Sequence, residues 1–409
     1  MKNKIFSFLL VFSLLLCACS KTSRMPFNQE ELKIVVTSDW HYLVQSYYEN
    51  YTNFGKDLLK GDGKMTNYSD QIIDSFVTKM KEEQPDLIVI TGDLTFNGEL
   101  NSHQQLAKKL ESLKEAGIEI AVLPGNHDIN NIFARQFDDV KGAVQVESLD
   151  KETFQQTYQN LGYEEAKSID EHSLSYRLDL NQHYSLLLVD SIQDSYQQNS
   201  ALSEETMAWL EKELQAIQKE HKIPLIAMHH NLARHSNLLY EGYTLDNQEE
   251  MLSLLKQYHV PLTLSGHIHM QHIAKVENIY DIASSSLAIS PVQYGILTLQ
   301  QNSIDYKTAI LENIEGDEIF FETAYYQRVY PKLKDVFDEN TAEKMADYLA
   351  KVNRLYFSGE IYLHLDELKN DALYKQLLQK EDQLEFSISY LKSQLADTTN
   401  HQQLHIDLP

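Results

Sequence analysis

Six apolar runs, "KIVVTSD", "DLIVITGD", "IEIAVLPG", "YSLLLVD", "IPLIAMHH" and "VPLTLSGH", recur between Lys33 and His267 without polar alternation. A strand with one wet face alternates, so runs of this kind predict strands covered on both faces. Helical patterns lie between them. Ser203 is placed to cap a helix whose Met207, Leu210, Leu214 and Ile217 share a face, with Leu202 stapling onto Met207. Ser102 to Ala116 reads as another helix, stopped at Gly117. The alternation predicts a layered α/β domain over residues 32–310, closed by antiparallel strands at "YGILTL" and "IDYKTAIL". Beyond it the texture becomes helical. Asn340 and Glu343 make a capping-box signature, and Met345, Leu349, Val352 and Tyr356 follow at helical spacing. Residues 311–409 are therefore expected to form a small C-terminal helical domain.

The buried runs end in residue types that ligate metals: Asp39-Trp40-His41, Gly92-Asp93, Asn126-His127-Asp128, His229-His230 and His267-Ile268-His269. Positions i and i+2 of a strand point the same way. Ligands of open α/β sheets bind beyond the carboxyl ends of the strands. The five pieces are thus expected to converge. Nitrogen and hard-oxygen donors without thiolate suit Mn, Fe or Zn. In "VLPGNHDI", Pro124-Gly125 ends the strand so that Asn126 can turn toward a metal.

Together "SDWH" (38–41), "TGDLTFNGE" (91–99), "PGNHD" (124–128), "MHHNL" (228–232) and "SGHIH" (265–269) resemble the blocks of the calcineurin-like metallophosphoesterases, in order. "NLGYEEAKSIDEHSLSY" (160–176) and the helical tail resemble a bacterial lipoprotein branch that includes cyclic-nucleotide phosphodiesterase-like proteins. The resemblance implies an αββα sandwich and two divalent ions. It puts one ion on Asp39, His41 and His269, the second on Asn126, His229 and His267, and Asp93 between them. A water shared by two such ions has a pKa near neutrality and attacks in line with phosphorus. His127 is then the expected assistant to the departing alkoxide. The implied substrate is a small phosphodiester, cyclic nucleotides included. Phosphomonoesterases and nucleotidases use the same core and stay open, as does a surface lipoprotein that binds metal or ligand without turnover. Complete ligands favour an enzyme.

Around this core Trp40, His230 and His235 are candidate substrate contacts, with Trp40 able to stack on a base. Lys64, Arg135 and Arg234 are candidate phosphate contacts. Asp128 could orient His127 or a metal ligand from behind, or begin a helix, and His103 reads as a helix N-terminal residue. The Tyr- and Asn-rich stretch 42–68 is too long for an ordinary connection and is a candidate substrate-covering loop.

Residues 1–18 have the form of an export signal, with Lys2, Lys4 and the apolar run "IFSFLLVFSLLL". That run is shorter than the roughly 20 residues a membrane span needs. Ala18 before Cys19 resembles a lipobox, which predicts lipidation (palmitate-type acylation) at Cys19, a tether over 19–31 and a chain anchored outside the cytoplasm; an ordinary secretory signal is the alternative. The formal charge of -25 opposes bulk nucleic-acid binding and a membrane contact other than the lipid. A small phosphate is still admissible, because bound metal ions invert the local field.

Overall fold

The computed structural model describes residues 25–192, 200–316 and 320–408. Cys19 and the signal lie outside the described residues. All six apolar runs form strands. They are shared between two large sheets. The first runs, in spatial order, Gln403–Asp407, Ser303–Ile310, Gln293–Gln300, Leu32–Thr37, Leu87–Thr91 and Glu119–Leu123. Its last three strands are parallel, and Gln293–Gln300 adds antiparallel to Leu32–Thr37. The second runs His272–Val276, Ile279–Ala283, Leu262–Ser265, Ile223–Met228, Tyr184–Val189, Tyr176–Asp179 and Ser168–Ile169.

The lack of polar alternation now has a physical cause. Leu186, Leu188, Leu225 and Ala227 join Ile34, Val36, Ile88 and Val122 in one core between the sheets. Their neighbours Leu187, Val189, Ile226 and Met228 point outward, onto Leu210, Leu214, Met251 and Leu255 of the covering helices Glu204–Lys219 and Gln248–Gln257. The first sheet is covered likewise by Ser69–Glu83 and Leu100–Glu115, which bury Phe76 and Leu106. The result is the αββα sandwich. Ser203 caps its helix as read, accepting from the Thr206 N–H.

The C-terminal helices have their own core. Helices Phe320–Lys334 and Glu339–Phe357 bury Leu333, Met345, Leu349 and Val352 together, and Leu391 of helix Glu385–Leu395 joins them. Ile268 and Met270, which flank His269, belong to this cluster too. One detail departs from the sequence reading. The cap of Glu339–Phe357 is Asp338, whose carboxylate accepts from the Thr341 N–H at 3.1 Å. Asn340 lies inside the helix, because a cap is fixed by where the backbone turns and Asp338 is an equally good acceptor. After the helices the chain returns to the first sheet, where Gln403–Asp407 pairs antiparallel with Ser303–Ile310. The stretch 42–68 is a packed insert, with Tyr51 and Phe54 against Phe137 of the hairpin strand Arg135–Asp138.

Candidate metal centre

The strands stop just short of the site. They end at Thr37, Thr91, Leu123, Met228 and Ser265, and the ligand-type residues follow one to four positions later. Strand alternation is therefore not what aims them. Asp39, His41, Asp93, His267 and His269 all have positive φ, between 44° and 68°. Non-glycine residues in this region cost on the order of 1–3 kcal/mol each and persist where surroundings over-determine them. Here the surroundings are backbone staples. Asp39 and His41 donate N–H to the Gly92 and Asp93 carbonyls at 3.0 Å, and Gly266 donates to His229 O at 3.0 Å. The Asp39 carboxylate itself accepts the His267 N–H at 3.0 Å.

Seven side chains meet at this seam. The metal-type donor atoms of six of them, the carboxylates and imidazoles, form two groups, each within 4.8 Å: Asp39, His41, Asp93 and His269, then Asp93, His229 and His267. Asp93 belongs to both. Its Oδ2 lies 3.7 Å from His41 Nε2 and its Oδ1 3.5 Å from His229 Nε2. Asn126, the seventh, sets its Oδ1 3.1 Å from His229 Nε2. His41 Nε2 and His269 Nε2 stand 3.1 Å apart.

Two neighbours fix tautomers. His229 Nδ1–H donates to Thr91 O at 2.8 Å, leaving Nε2 for the site, and His267 Nε2–H donates to Gly242 O at 2.8 Å, leaving Nδ1. Burial, and after it the charge of Lys64, holds His41 far below the usual imidazole range; burial and then His230 do the same for His267. Burial would raise the Asp39 carboxyl, but His269 and His229 outweigh it and hold it low. Burial would lower His229 as well, but Asp93 and then Asp39 outweigh it and raise it, a positive charge that a divalent ion would replace. Imidazole nitrogens and carboxylate oxygens aimed at common points are a donor set for divalent cations. The residues fit two ions, with Asp93 as the one group reaching both.

His127 stands at the rim. Its Nδ1–H donates to Phe96 O at 2.7 Å, which turns Nε2 toward Asp93 Oδ2 at 3.9 Å. Asp128 takes the expected supporting role toward the ligands and begins no helix. It accepts from the N–H groups of Leu94, Thr95 and Gly125 and so ties two ligand-bearing loops together. His103 also serves these loops, bonding Tyr158 and Thr95 within the core.

Three proposed substrate contacts are corrected. Trp40 is 1% exposed, donates to Thr37 Oγ1 and packs edge-on against Phe76, so it cannot stack on a ligand. His230 is fully buried behind the ligands, with its ring on His267 at 4.5 Å and its Nδ1 on Ser191. His235 is sealed into a chain of its own, 3.1 Å from Asp281 and 3.0 Å from His272, which leads through Asp397 to His401. His401 Nδ1 accepts the Ile273 N–H, so its Nε2 carries the hydrogen shared with Asp397. That is a hydrogen-bonded clamp holding the tail to the sheet. Among the cations, Arg135 spends its guanidinium on Ile132 and Ala134 carbonyls and Arg234 lies over the Tyr240 ring. Lys64 pairs with Asp62 at 3.2 Å, and its charge acts on His41 and His127.

A cleft of about 350 Å³ opens beside His267 and His269. Tyr325, Asn353, Phe386 and Tyr390 of the helical region line it. These residues were missed in the sequence; aromatic positions at helical spacing look like core. A larger cleft of about 800 Å³, between Leu214, Tyr258 and Ile406, holds none of the site residues.

Comparison with known proteins agrees with this geometry. The family model for C-terminal domains of cyclic nucleotide phosphodiesterase matches residues 316–401. A 3',5'-cyclic-nucleotide phosphodiesterase of Nostoc sp. (strain PCC 7120) is 28% identical over 219 residues, covering 52% of this chain and 68% of that protein. The crystal structure of a dimetal phosphatase from Danio rerio superposes with a TM-score of 0.50 at 13% identity, over 68% of this chain and 95% of that one, which speaks to the fold. The family model for calcineurin-like phosphoesterases matches residues 32–271, more than half of the chain. The chain belongs to the calcineurin-like phosphoesterase family and is a phosphoester hydrolase.

Proposed function

We propose that this hydrolase acts on phosphodiesters, cyclic nucleotides among them. The observation that carries the reading is the cleft between His267 and His269 on one side and Tyr325, Phe386 and Tyr390 on the other. Its volume lies in the range of small-ligand sites, and its aromatic walls suit a base. An inorganic phosphate needs no such wall, whereas the organic substituent of a nucleotide does, in a monoester as in a diester. The names of the Nostoc relative and of the C-terminal family model support the same reading.

Asp39, His41 and His269 would hold one divalent ion, Asn126, His229 and His267 the other, with Asp93 spanning them. Such ions activate water and neutralise charge on phosphoryl oxygens. The chain's own contribution is orientation. Thr91 O and Gly242 O fix which nitrogen of His229 and His267 faces the site. Phe96 O holds the His127 Nδ1–H, so the neutral ring turns the Nε2 lone pair to the site, where it would take a proton from the attacking water and pass it to the departing alkoxide. Lipidation at Cys19, with anchoring outside the cytoplasm, is part of the proposal and rests on Ala18-Cys19 after the apolar run. Loss of labelled palmitate from Cys19→Ala tests it; full labelling of that variant contradicts it.

The substrate reading is tested with paired nitrophenyl mono- and diesters and a cyclic nucleotide against its linear monophosphate. Higher kcat/KM on the diester and the cyclic nucleotide supports it. A clear preference for monoesters overturns it in favour of a phosphatase or nucleotidase.

A further inference from the structure

The insert 42–68 approaches its end in Gly61-Asp62-Gly63-Lys64, and this corner is held from two sides. On one side Met65, fully buried, donates its N–H to Ala288 O at 2.7 Å. On the other Gly63, with φ +85°, lies against the helix Phe320–Lys334; a methyl there would come within 2.8 Å of the Phe321 ring. The core and the helical region thus grip one short segment between them. What they fix is a cation. Lys64 is 8% exposed, and its Nζ lies 3.2 Å from Asp62.

The corner faces the metal centre. Asp62 lines the same cleft as His267 and His269. Burial is the main cause that keeps His41 and His127 neutral, and the Lys64 charge adds to it at both rings, against the pull of Asp93 on His127. Half of the Asp62 side chain is exposed. The surrounding cleft walls would raise its carboxyl, but Lys64 and then His269 bring it down to about 2. Asp62 therefore stays ionised and holds the ammonium at the rim. Among the described residues Asp62 is the salt-bridge partner of Lys64, and an ammonium has three donors. A buried ammonium costs several kcal/mol unless it is paired and hydrogen-bonded. A simple internal pair explains the charge balance. It does not explain why the pair stands at the wall of the cleft that holds His267 and His269, where Asp62 lines the opening.

We propose that Lys64 is a phosphoryl-binding cation of this active site, donating to a non-bridging phosphate oxygen, with Asp62 as its positioning partner. The inference rests on the phosphoester chemistry of the family and not on the diester preference. Inorganic phosphate, which carries the same oxygens in every substrate class, is therefore the probe.

The experiment measures calorimetric phosphate binding, kcat/KM and metal content on the full metal-loaded chain. Loss of one charged donor to a phosphoryl oxygen predicts that Lys64→Met weakens kcat/KM by about 10²-fold and phosphate affinity by about tenfold, with two ions still bound. Lys64→Arg keeps the charge and stays within about fivefold of the wild type on both readouts. Phosphate affinity in Lys64→Met within twofold of the wild type overturns the proposal, as does an equal loss in Lys64→Met and Lys64→Arg. Should Lys64→Met misfold or lose an ion, the wild-type chain decides: phosphate protection of Lys64 from amine acetylation, mapped by peptide mass, supports the proposal, and unchanged labelling overturns it. Failure of the diester reading shows up separately, as a monoester preference with the phosphate results intact.

Discussion

Gly92 precedes the bridging aspartate, has φ +95°, and a β-carbon built on it would lie 2.6 Å from His229 Nδ1. That nitrogen donates to Thr91 O at 2.8 Å and thereby aims Nε2 at Asp93 and Asn126. In Gly92→Ala the contact must open to ordinary separation, 3.4 Å, so His229 or the chain moves by 3.4 − 2.6 = 0.8 Å. The hydrogen bond to Thr91 is then lost or bent. Loss of such a supporting bond weakens metal affinity by about 10–100-fold, or roughly 1.4–2.7 kcal/mol. The left-handed backbone costs a further 1–2 kcal/mol or so of stability. The other ligand group, Asp39, His41 and His269, has no part in this contact. Calorimetric titration with Mn²⁺ is expected to give one near-normal site and one weakened site. Gly117→Ala is the control, with φ +87° and nothing within 4 Å of the added carbon, so it loses stability without loss of metal. Two unimpaired sites in Gly92→Ala, or equal impairment of both, refutes the reasoning.

His127→Ala is expected to lower kcat by about 10²–10⁴ on esters with poor alkoxide leaving groups and far less on nitrophenyl esters, while keeping two ions. An equal loss on both substrates contradicts a leaving-group role. Burial pushes the Glu99 carboxyl up to about 7, above the unfolded value, so the fold prefers the protonated form. Its stabilising effect is complete below pH 4 or so and is lost as pH rises toward 7, by up to about 3 kcal/mol. Glu99→Gln should flatten this part of the melting-temperature profile between pH 4.5 and 8, values set by the two pKa values above. An unchanged profile contradicts the assignment.

Much of this was legible because both-face burial writes an unmistakable pattern. Runs such as "IPLIAMHH" have no polar alternation, since Leu225 faces one layer and Ile226 the other. Donor groups just past those runs had few places to go except the seam. What the sequence hid is how they turn. Asp39 and His41 converge through left-handed backbone rather than strand alternation; aspartate and histidine are enriched in that region, but residue type does not mark which of them adopts it. Trp40, His230 and His235 were misread because neighbours in sequence need not share a surface. His230 faces away from His229's partners onto Ser191. The wall built by Tyr325 and Tyr390 depends on contacts across the chain that helical periodicity cannot reveal. In the loop 266–270 the same left-handed backbone at His267 and His269 produces an i, i+2 pattern without a strand, with the two histidines at the site and Ile268 and Met270 in the helical core.

Electron paramagnetic resonance of the chain loaded with two Mn²⁺ addresses the bridging role of Asp93 head-on. A carboxylate shared by both ions predicts a spin-coupled pair in the wild type and loss of that coupling in Asp93→Asn. Two uncoupled ions in the wild type, or saturation at a single ion per chain, would contradict it.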